Sequence, residues 1–335
     1  MTRPRRQPIP LTIVCGPRGA GKTRLINRLL RDPAFANTAV ILNEFGATGL
    51  ENALVERAEQ GIIALGGGCI CCAVRGELID ALERLLRDLD NGRVAEIARV
   101  VIESEASADP AAILAAVARH PYLSLRFRPD GIVAVIGAAQ LPTIAGTRDT
   151  LRQVAMADAI AVSGGEAERA RLAGINPFAA MLDPQTAPPR AFIGVGAFAG
   201  EVPTAALGSA PGIAGVNACS VVREREIPLS ALDRFLDFLA ALHGQNLIRV
   251  RGIVATEEGS VLVAGVGGFF WPPRMVGRQG AHTRFDMVAS PPLDRQGFES
   301  YLDAFLNEPQ IDTPDRQALT ENPLAIAGFS ARSVR

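Results

Sequence analysis

The sequence predicts an α/β protein: a parallel sheet with helices on both faces, followed by a smaller α+β domain. Three observations predict it. Through residues 10–199, short apolar runs alternate with helical periodicities, the pattern of strands buried on both sides and joined by crossover helices. Over residues 200–215 the composition shifts to Ala, Gly, Pro and Ser without periodicity, which reads as a linker. Beyond it, strand patterns recur with helical stretches at 228–242 and 293–306. At 335 residues and 48% hydrophobic content, the chain can bury two cores. The expected division is a disordered lead-in at 1–9, a first domain at 10–199, the linker, a second domain at 216–310 and a tail at 311–335.

The first strand, Leu11 to Cys15, runs into Gly16-Pro17-Arg18-Gly19-Ala20-Gly21-Lys22-Thr23, and a helix follows to Arg31. Gly16 and Gly21-Lys22-Thr23 fit GxxxxGK(S/T), the phosphate-binding loop. Holding a triphosphate requires successive backbone N–H groups turned inward, and glycines permit both the backbone conformation and the close approach. The helix adds its positive N-terminal end. Lys22 is expected to reach the β- and γ-phosphates and the Thr23 hydroxyl to ligate Mg²⁺. Nucleotide-binding candidates in this stretch are Gly16, Pro17, Arg18, Gly19, Ala20, Gly21, Lys22, Thr23 and Arg24. The first domain therefore reads as a P-loop NTPase sheet.

The second strand, 38–42, ends in Asn43-Glu44-Phe45-Gly46, and a short element follows at 53–58. A strand at 61–65 leads into Gly66-Gly67-Gly68-Cys69-Ile70-Cys71-Cys72. The helix expected at 74–89 aligns Leu78, Leu82, Leu85, Leu86 and Leu89 on one stripe. A strand at 98–102 ends at Glu103. Asp109-Pro110 opens a helix, as cap and first-turn proline. Strands at 132–136 and 159–162 flank a helix at 150–157, and 191–195 reads as the last strand of the unit. In such a sheet the active residues gather at the carboxyl ends of the strands. The second domain takes strands at 216–222, 247–254, 260–266 and 284–289.

Cys69, Cys71 and Cys72 follow three glycines and precede a helix, whose N-terminus favours the thiolate. Thiolates suit Zn²⁺, Cu(I) or Co²⁺. Three sulfurs leave one position of a tetrahedral set for Glu44 or for water or a partner, an arrangement that suits a metal passed onward. The bland alternatives are small buried side chains or a redox thiol pair. Cys15 and Cys219 lie in strands and read as core. His120, His243 and His282 are isolated and read as surface or capping residues, with His120, beside Pro121, nearest to a site role.

A net charge of −1 gives no global pull toward nucleic acid or anionic membrane, so neither is an expected partner. No apolar run approaches the roughly 18 residues of a membrane span. The basic N-terminus lacks an apolar signal core. Five cysteines, three of them crowded together, do not form a secreted disulfide pattern, and the chain reads as a reduced cytoplasmic protein.

The residues at 16–23, Asn43-Glu44-Phe45-Gly46, Gly66 to Cys72 and Glu103-Ser104-Glu105-Ala106-Ser107-Ala108-Asp109-Pro110 come in an order and spacing that resemble the CobW-like metallochaperone GTPases, relatives of the hydrogenase and urease nickel-insertion GTPases. Asn176-Pro177 and Leu247-Ile248-Arg249-Val250-Arg251-Gly252 continue the likeness, which spans nearly the whole chain. The resemblance implies a GTP-binding domain joined to a CobW C-terminal α+β domain. It also implies Zn²⁺ or Co²⁺ held by Cys69, Cys71 and Cys72, and GTP hydrolysis coupled to delivery of the metal to a client metalloenzyme. Glu44 then lies in the first switch, and Glu103 lies near Mg²⁺ or the attacking water. Lys22 and Glu103 become the catalytic pair, acting by electrostatic positioning. The likeness leaves room for a nucleotide- or metal-dependent dimer.

The departures from the family pattern point elsewhere. Position 47 is Ala rather than Glu, Ala106 stands in place of a glycine near the γ-phosphate, and Ile136-Gly137-Ala138 replaces Val-Asp-Ala. Ser163-Gly164-Gly165-Glu166 occupies the place of the guanine-reading Asn/Ser-Lys-x-Asp, making Ser163 and Glu166 the candidate base contacts. Losing such a polar contact costs on the order of 2 kcal/mol in base discrimination. The expected protein is thus a slow GTPase relaxed in base choice. The alternative is a non-hydrolysing nucleotide- and metal-binding sensor or scaffold.

Overall fold

The computed structural model describes residues 7–42, 62–64, 73–94, 96–104, 106–196, 210–213, 215–277 and 282–306. In the first domain, β1 (Ile9–Cys15), β2 (Thr38–Leu42), β3 (Ile62–Ala64), β4 (Arg99–Glu103), β5 (Phe127–Ile136), β6 (Ala159–Val162) and β7 (Ala180–Leu182) form one sheet in the order β3-β2-β4-β1-β5-β6-β7. Every pairing is parallel. The longer helices are α1 (Lys22–Leu30), α2 (Ala73–Asp90), α3 (Pro110–Arg119), α4 (Arg148–Met156) and α5 (Glu166–Ala173).

Alternation along each strand splits its side chains between two cores. Val14, Val40, Val101, Val133 and Val135 pack with Leu25, Ile26 and Leu29 of α1. Ile13, Ile41, Ile102 and Ile132 face the other way, against α2, α3 and α4. The leucine stripe of α2 expected from its spacing is buried there.

The second sheet is antiparallel and built from β8 (Ala210–Ile213), β9 (Val216–Arg223), β10 (Leu247–Thr256), β11 (Gly259–Val266), β12 (Phe269–Phe270), β13 (Arg274–Val276) and β14 (Thr283–Ala289). One face carries α6 (Leu229–His243) and α7 (Arg295–Leu306) over Val221, Val250, Phe285 and Met287. The other face contributes Val216, Ala218, Ile248, Ala264, Val266 and Val288 to the α2–α4 core of the first domain. The two domains therefore share one hydrophobic core.

A buried charge cluster pins that junction. Asp158, 1% exposed in its side chain at the entry to β6, accepts from Arg249 Nη2 at 2.5 Å and from Arg251 Nη2. Arg249 and Arg251 are two apart on β10 and so face the same way. Ile132 N donates to Asp158 Oδ2 at 2.8 Å, Arg249 Nη1 to Gly265 O and Arg251 Nη1 to Phe178 O, while Nε of each arginine is buried without a partner among the described residues. Burial pushes the Asp158 carboxyl up, but the two guanidinium groups outweigh it and hold the group below its ordinary value.

Two expectations fail. The run 191–195 is not a strand: β7 lies earlier, and Pro189–Phe192 forms a 3₁₀ turn. Pro188 and Pro189 lack the N–H a ladder needs, and Phe192 is apolar because it is buried, not because it pairs. The expected linker 200–215 contains β8, which pairs antiparallel with β9 across a turn where Gly215 takes φ +80°. Pro211 hides this strand from sequence reading and is tolerated because β8 is an edge. The short element expected at 53–58 lies outside the described residues.

Candidate functional site

The carboxyl edge of the first sheet carries those of the candidate residues that lie among the described ones. β1 ends at Cys15, and the chain turns through Gly16, Gly19 and Gly21 at φ +143°, +74° and +97°. A Cβ on Gly16 would stand 2.2 Å from Val135 O, so the loop lies against the β5 backbone and only glycine fits there. α1 then opens at Lys22, with Leu25 N donating to Gly21 O at 2.9 Å. The Lys22 ammonium is folded back into the loop, donating to Gly16 O at 3.0 Å and Pro17 O at 3.2 Å. It is the only lysine in the chain.

Thr23 Oγ1 donates to Glu103 Oε1 at 2.8 Å. Register explains the meeting: Val14 of β1 and Leu42 of β2 both stand beside Glu103 of β4. Glu103 is 1% exposed. A hydroxyl and a carboxylate side by side are hard oxygen donors, and they fit Mg²⁺, which binds through one or two such groups together with substrate phosphates. The chain leaves β4 through Ser104, whose N–H donates to Val14 O at 2.9 Å and whose hydroxyl is buried without a partner among the described residues.

The segment after Glu103 is held by a residue that sequence reasoning missed. Gln153 of α4, 1% exposed, donates through Nε2 to Ala106 O at 3.0 Å and Ala108 O at 2.9 Å. Arg152 Nε beside it donates to Asp109 Oδ2 at 3.2 Å, while Asp109 Oδ1 caps α3 through Ala111 N. The only signal in the sequence was a neutral amide in a helix that buries six of its nine residues.

Farther along the edge, Ser163 ends the β6 turn half-buried, and Glu166 is exposed as the first residue of α5. A pocket of about 390 Å³ lies here, between Ala138, Leu141 and Pro142 on one wall and Ser163, Gly164, Gly165 and Glu168 on the other. Gln140 ties the first wall to the phosphate loop through Nε2 and Arg18 O at 3.4 Å. Gly137, where the family pattern has aspartate, lies close under Gln140, whose Oε1 would stand 2.4 Å from a Cβ there and would have to turn aside for a larger residue.

Glu44, Cys69, Cys71 and Cys72 lie outside the described residues. The strands leading to them end on the same edge, Leu42 beside Ala64. Among the described residues, no three His, Cys, Asp or Glu side chains assemble a metal site. Cys15 and Cys219 are buried, and burial pushes their thiols up to about 12 and about 11, which leaves them inert as ligands. His120 caps the end of α3, its Nδ1 accepting from Leu123 N at 3.3 Å, as a structural histidine does. No helix among the described residues is long and apolar enough to cross a membrane.

Residues 10–165 match the CobW/HypB/UreG nucleotide-binding domain. The chain is 39% identical over 182 residues to the zinc chaperone YjiA of Escherichia coli, covering 50% of this chain and 55% of that one. It is 35% identical over 143 residues to the zinc-regulated GTPase metalloprotein activator 1 of Schizosaccharomyces pombe, covering 41% of this chain and 34% of that one. The matches thus span about half the length of these curated relatives or less. The crystal structure of Zn(II)-bound YjiA GTPase from E. coli superposes with a TM-score of 0.68 at 22% identity, covering 90% of this chain and 99% of that one. The fold of both domains is therefore that of the YjiA structure.

Proposed function

Through residues 10–165 this chain belongs to the CobW/HypB/UreG family, and on that footing we propose that it is a Mg²⁺-dependent GTPase that passes Zn²⁺ or Co²⁺ to a client metalloprotein in the cytoplasm. The observation that carries the reading is the strand register at the carboxyl edge. Leu42 stands beside both Glu103 and Ala64. Glu44 follows Leu42 by two residues and Cys69 follows Ala64 by five, so the chain holds them within roughly 7 Å and 18 Å of those strand ends. The metal-binding candidates and the Thr23–Glu103 pair are covalently tied to one row of the sheet. The names of the bacterial and yeast relatives, a zinc chaperone and a zinc-regulated metalloprotein activator, favour zinc as the cargo.

In this reading Lys22 leaves the loop carbonyls to pair with the β- and γ-phosphates. Thr23 and Glu103 hold Mg²⁺, which supplies charge neutralisation at the phosphates when bound. Glu103 orients the attacking water, and Gln153 fixes the segment whose Ala106 N–H faces the γ-phosphate. Hydrolysis is then positioning and electrostatics, slowed by the methyl group on Ala106. Residues 43–49 and 69–72 respond together to the γ-phosphate, so its loss releases the metal. A dimer that forms with nucleotide or metal is part of the same cycle.

The departures at Ala106, Gly137 and 163–166 favour a second reading, a sensor that binds nucleotide and metal without hydrolysis. Titration of the metal-free protein with Zn²⁺ and Co²⁺, alone and with Mg²⁺ plus GTP, GDP or ATP, separates the two. Metal affinity that tightens with GTP and falls with GDP supports the chaperone. Affinity blind to nucleotide, with no turnover that Lys22→Ala abolishes, supports the sensor.

A further inference from the structure

Under the segment that follows Glu103, two buried polar atoms meet no partner among the described residues: the Ser104 hydroxyl and the Gln153 side-chain carbonyl. Both residues are fully buried. Ser104 N donates to Val14 O at 2.9 Å, so Ser104 extends the β4 ladder by one residue. Strand alternation then turns its side chain to the face of Val100 and Ile102, the face that packs against α4. The Gln153 amide lies under the same segment, because Nε2 gives both of its hydrogens to Ala106 O and Ala108 O. Those two carbonyls fix which end of the amide is nitrogen, and they leave Oε1 as an acceptor in need of a donor.

The frame around the segment is held on both sides. Arg152 Nε donates to Asp109 Oδ2 at 3.2 Å, and Asp109 caps α3. The second domain abuts α3 at both ends. A Cβ on Gly267 would stand 2.8 Å from Ala111 Cβ, and the Arg119 guanidinium lies 5.5 Å from the centre of the Phe269 ring. With β4 laddered before it and α3 braced after it, any adjustment to a ligand at Glu103 falls on residues 104–108. A buried donor and a buried acceptor held apart each cost free energy, so an adjustment that joins them is favoured.

We propose that Ser104 is a positioning residue that senses the γ-phosphate: as the segment after Glu103 closes on a triphosphate, the Ser104 hydroxyl donates to Gln153 Oε1 and holds the segment there. This rests on the nucleotide-binding reading above. A diphosphate gives the segment nothing to close on, so the bond accompanies the triphosphate alone. Rotation of Ser104 between staggered χ1 positions redirects the hydroxyl without disturbing the bond from its N–H to Val14 O. A Ser104 that merely filled space would act on stability and be blind to the number of phosphates.

The test is calorimetric binding of GDP and of the β,γ-imido analogue of GTP, each with Mg²⁺, to the full chain and to its Ser104→Ala, Ser104→Thr and Gln153→Leu variants and the Ser104→Ala, Gln153→Leu double variant. A urea unfolding curve is taken for each. Ser104→Ala is expected to weaken the imido-triphosphate about fivefold, the worth of one neutral hydrogen bond, and to leave GDP within about twofold. Ser104→Thr, which keeps the hydroxyl, is expected to retain the affinity that Ser104→Ala loses. Beside Gln153→Leu, Ser104→Ala is expected to change nothing further, because the acceptor has gone. Without nucleotide, Ser104→Ala is expected to unfold no earlier than wild type, since an unmet buried hydroxyl is removed. Equal weakening of both nucleotides, an unchanged triphosphate affinity in Ser104→Ala, or a Ser104→Ala loss that persists beside Gln153→Leu overturns the assignment and leaves nucleotide binding standing. Binding of neither nucleotide by the wild type overturns the nucleotide-binding reading and this assignment with it. If Gln153→Leu does not fold, the two Ser104 variants decide alone, and a threonine variant as weak toward the triphosphate as the alanine variant overturns the assignment.

Discussion

At the phosphate end of the candidate site, the continuous run Gly16 to Thr23 supplies the turn, the helix start, the lone lysine of the chain and the Thr23 hydroxyl proposed to hold Mg²⁺. At the end proposed to take the base, the pocket draws its walls from 138–142 and 163–171, and arginines brace them. The supports beneath differ as well. β1 is central in the sheet, whereas β6 is entered through Asp158, which is clamped by Arg249 and Arg251 of the second domain. A triphosphate can be held by backbone N–H groups that one turn presents. A base must be recognised from the side by groups that no short segment can deliver, so that end depends on distant packing.

The contrast can be broken or sharpened by mutation. Lys22→Ala is expected to cost the most, a loss of about 100-fold or more in affinity that is the same for GTP and ATP, since charge-assisted phosphate bonds are each worth about 1.5–3 kcal/mol. Calorimetry with both nucleotides checks it, and a base-dependent loss would merge the two ends into one. Asp158→Ala leaves two buried guanidinium groups without their counter-charge. A destabilisation of about 3–5 kcal/mol is expected in urea unfolding, with weakened base discrimination in the folded fraction.

The same aspartate gives a pH signature. Its carboxyl is held below the ordinary value of 3.8 by Arg249 and Arg251 against burial. Its contribution to stability is complete above that value and is lost as pH falls through the lower folded value. Melting curves of the wild type should fall on the acid side more steeply than those of Asp158→Asn.

Gln153→Leu removes both bonds to the segment after Glu103. A drop in turnover of about tenfold is expected, with the ratio of GTP to ATP affinity unchanged, because the loss of a buried amide contact is worth about 1–3 kcal/mol and falls at the phosphate end. Ser163→Ala is expected to have the smallest effect, a change in the GDP-to-ADP ratio of about fivefold or less, from one neutral hydrogen bond worth about 0.5–1.5 kcal/mol.

Legibility followed the same division. The strand–glycine loop–helix run was plain because glycine, lysine and threonine each have a local steric or chemical reason to stand where they do, and the structure places Thr23 on Glu103. The buried strands were plain because alternation with period two is a property of the chain itself. Gln153 and the Asp158–Arg249–Arg251 cluster were not legible, since each acts through partners far along the chain. Pro211 and Phe192 misled in opposite directions, one concealing an edge strand and the other suggesting a strand where a buried turn stands.

By itself, then, the sequence determined the P-loop, the α/β alternation and a second α+β domain, because these follow from backbone sterics and from which side chains must leave water. Only the tertiary structure decided that the two domains share a core and that α4 holds the segment after Glu103. Those outcomes are contacts between residues remote in sequence, and the entropy of bringing them together is offset only by the complete set of contacts in the folded chain.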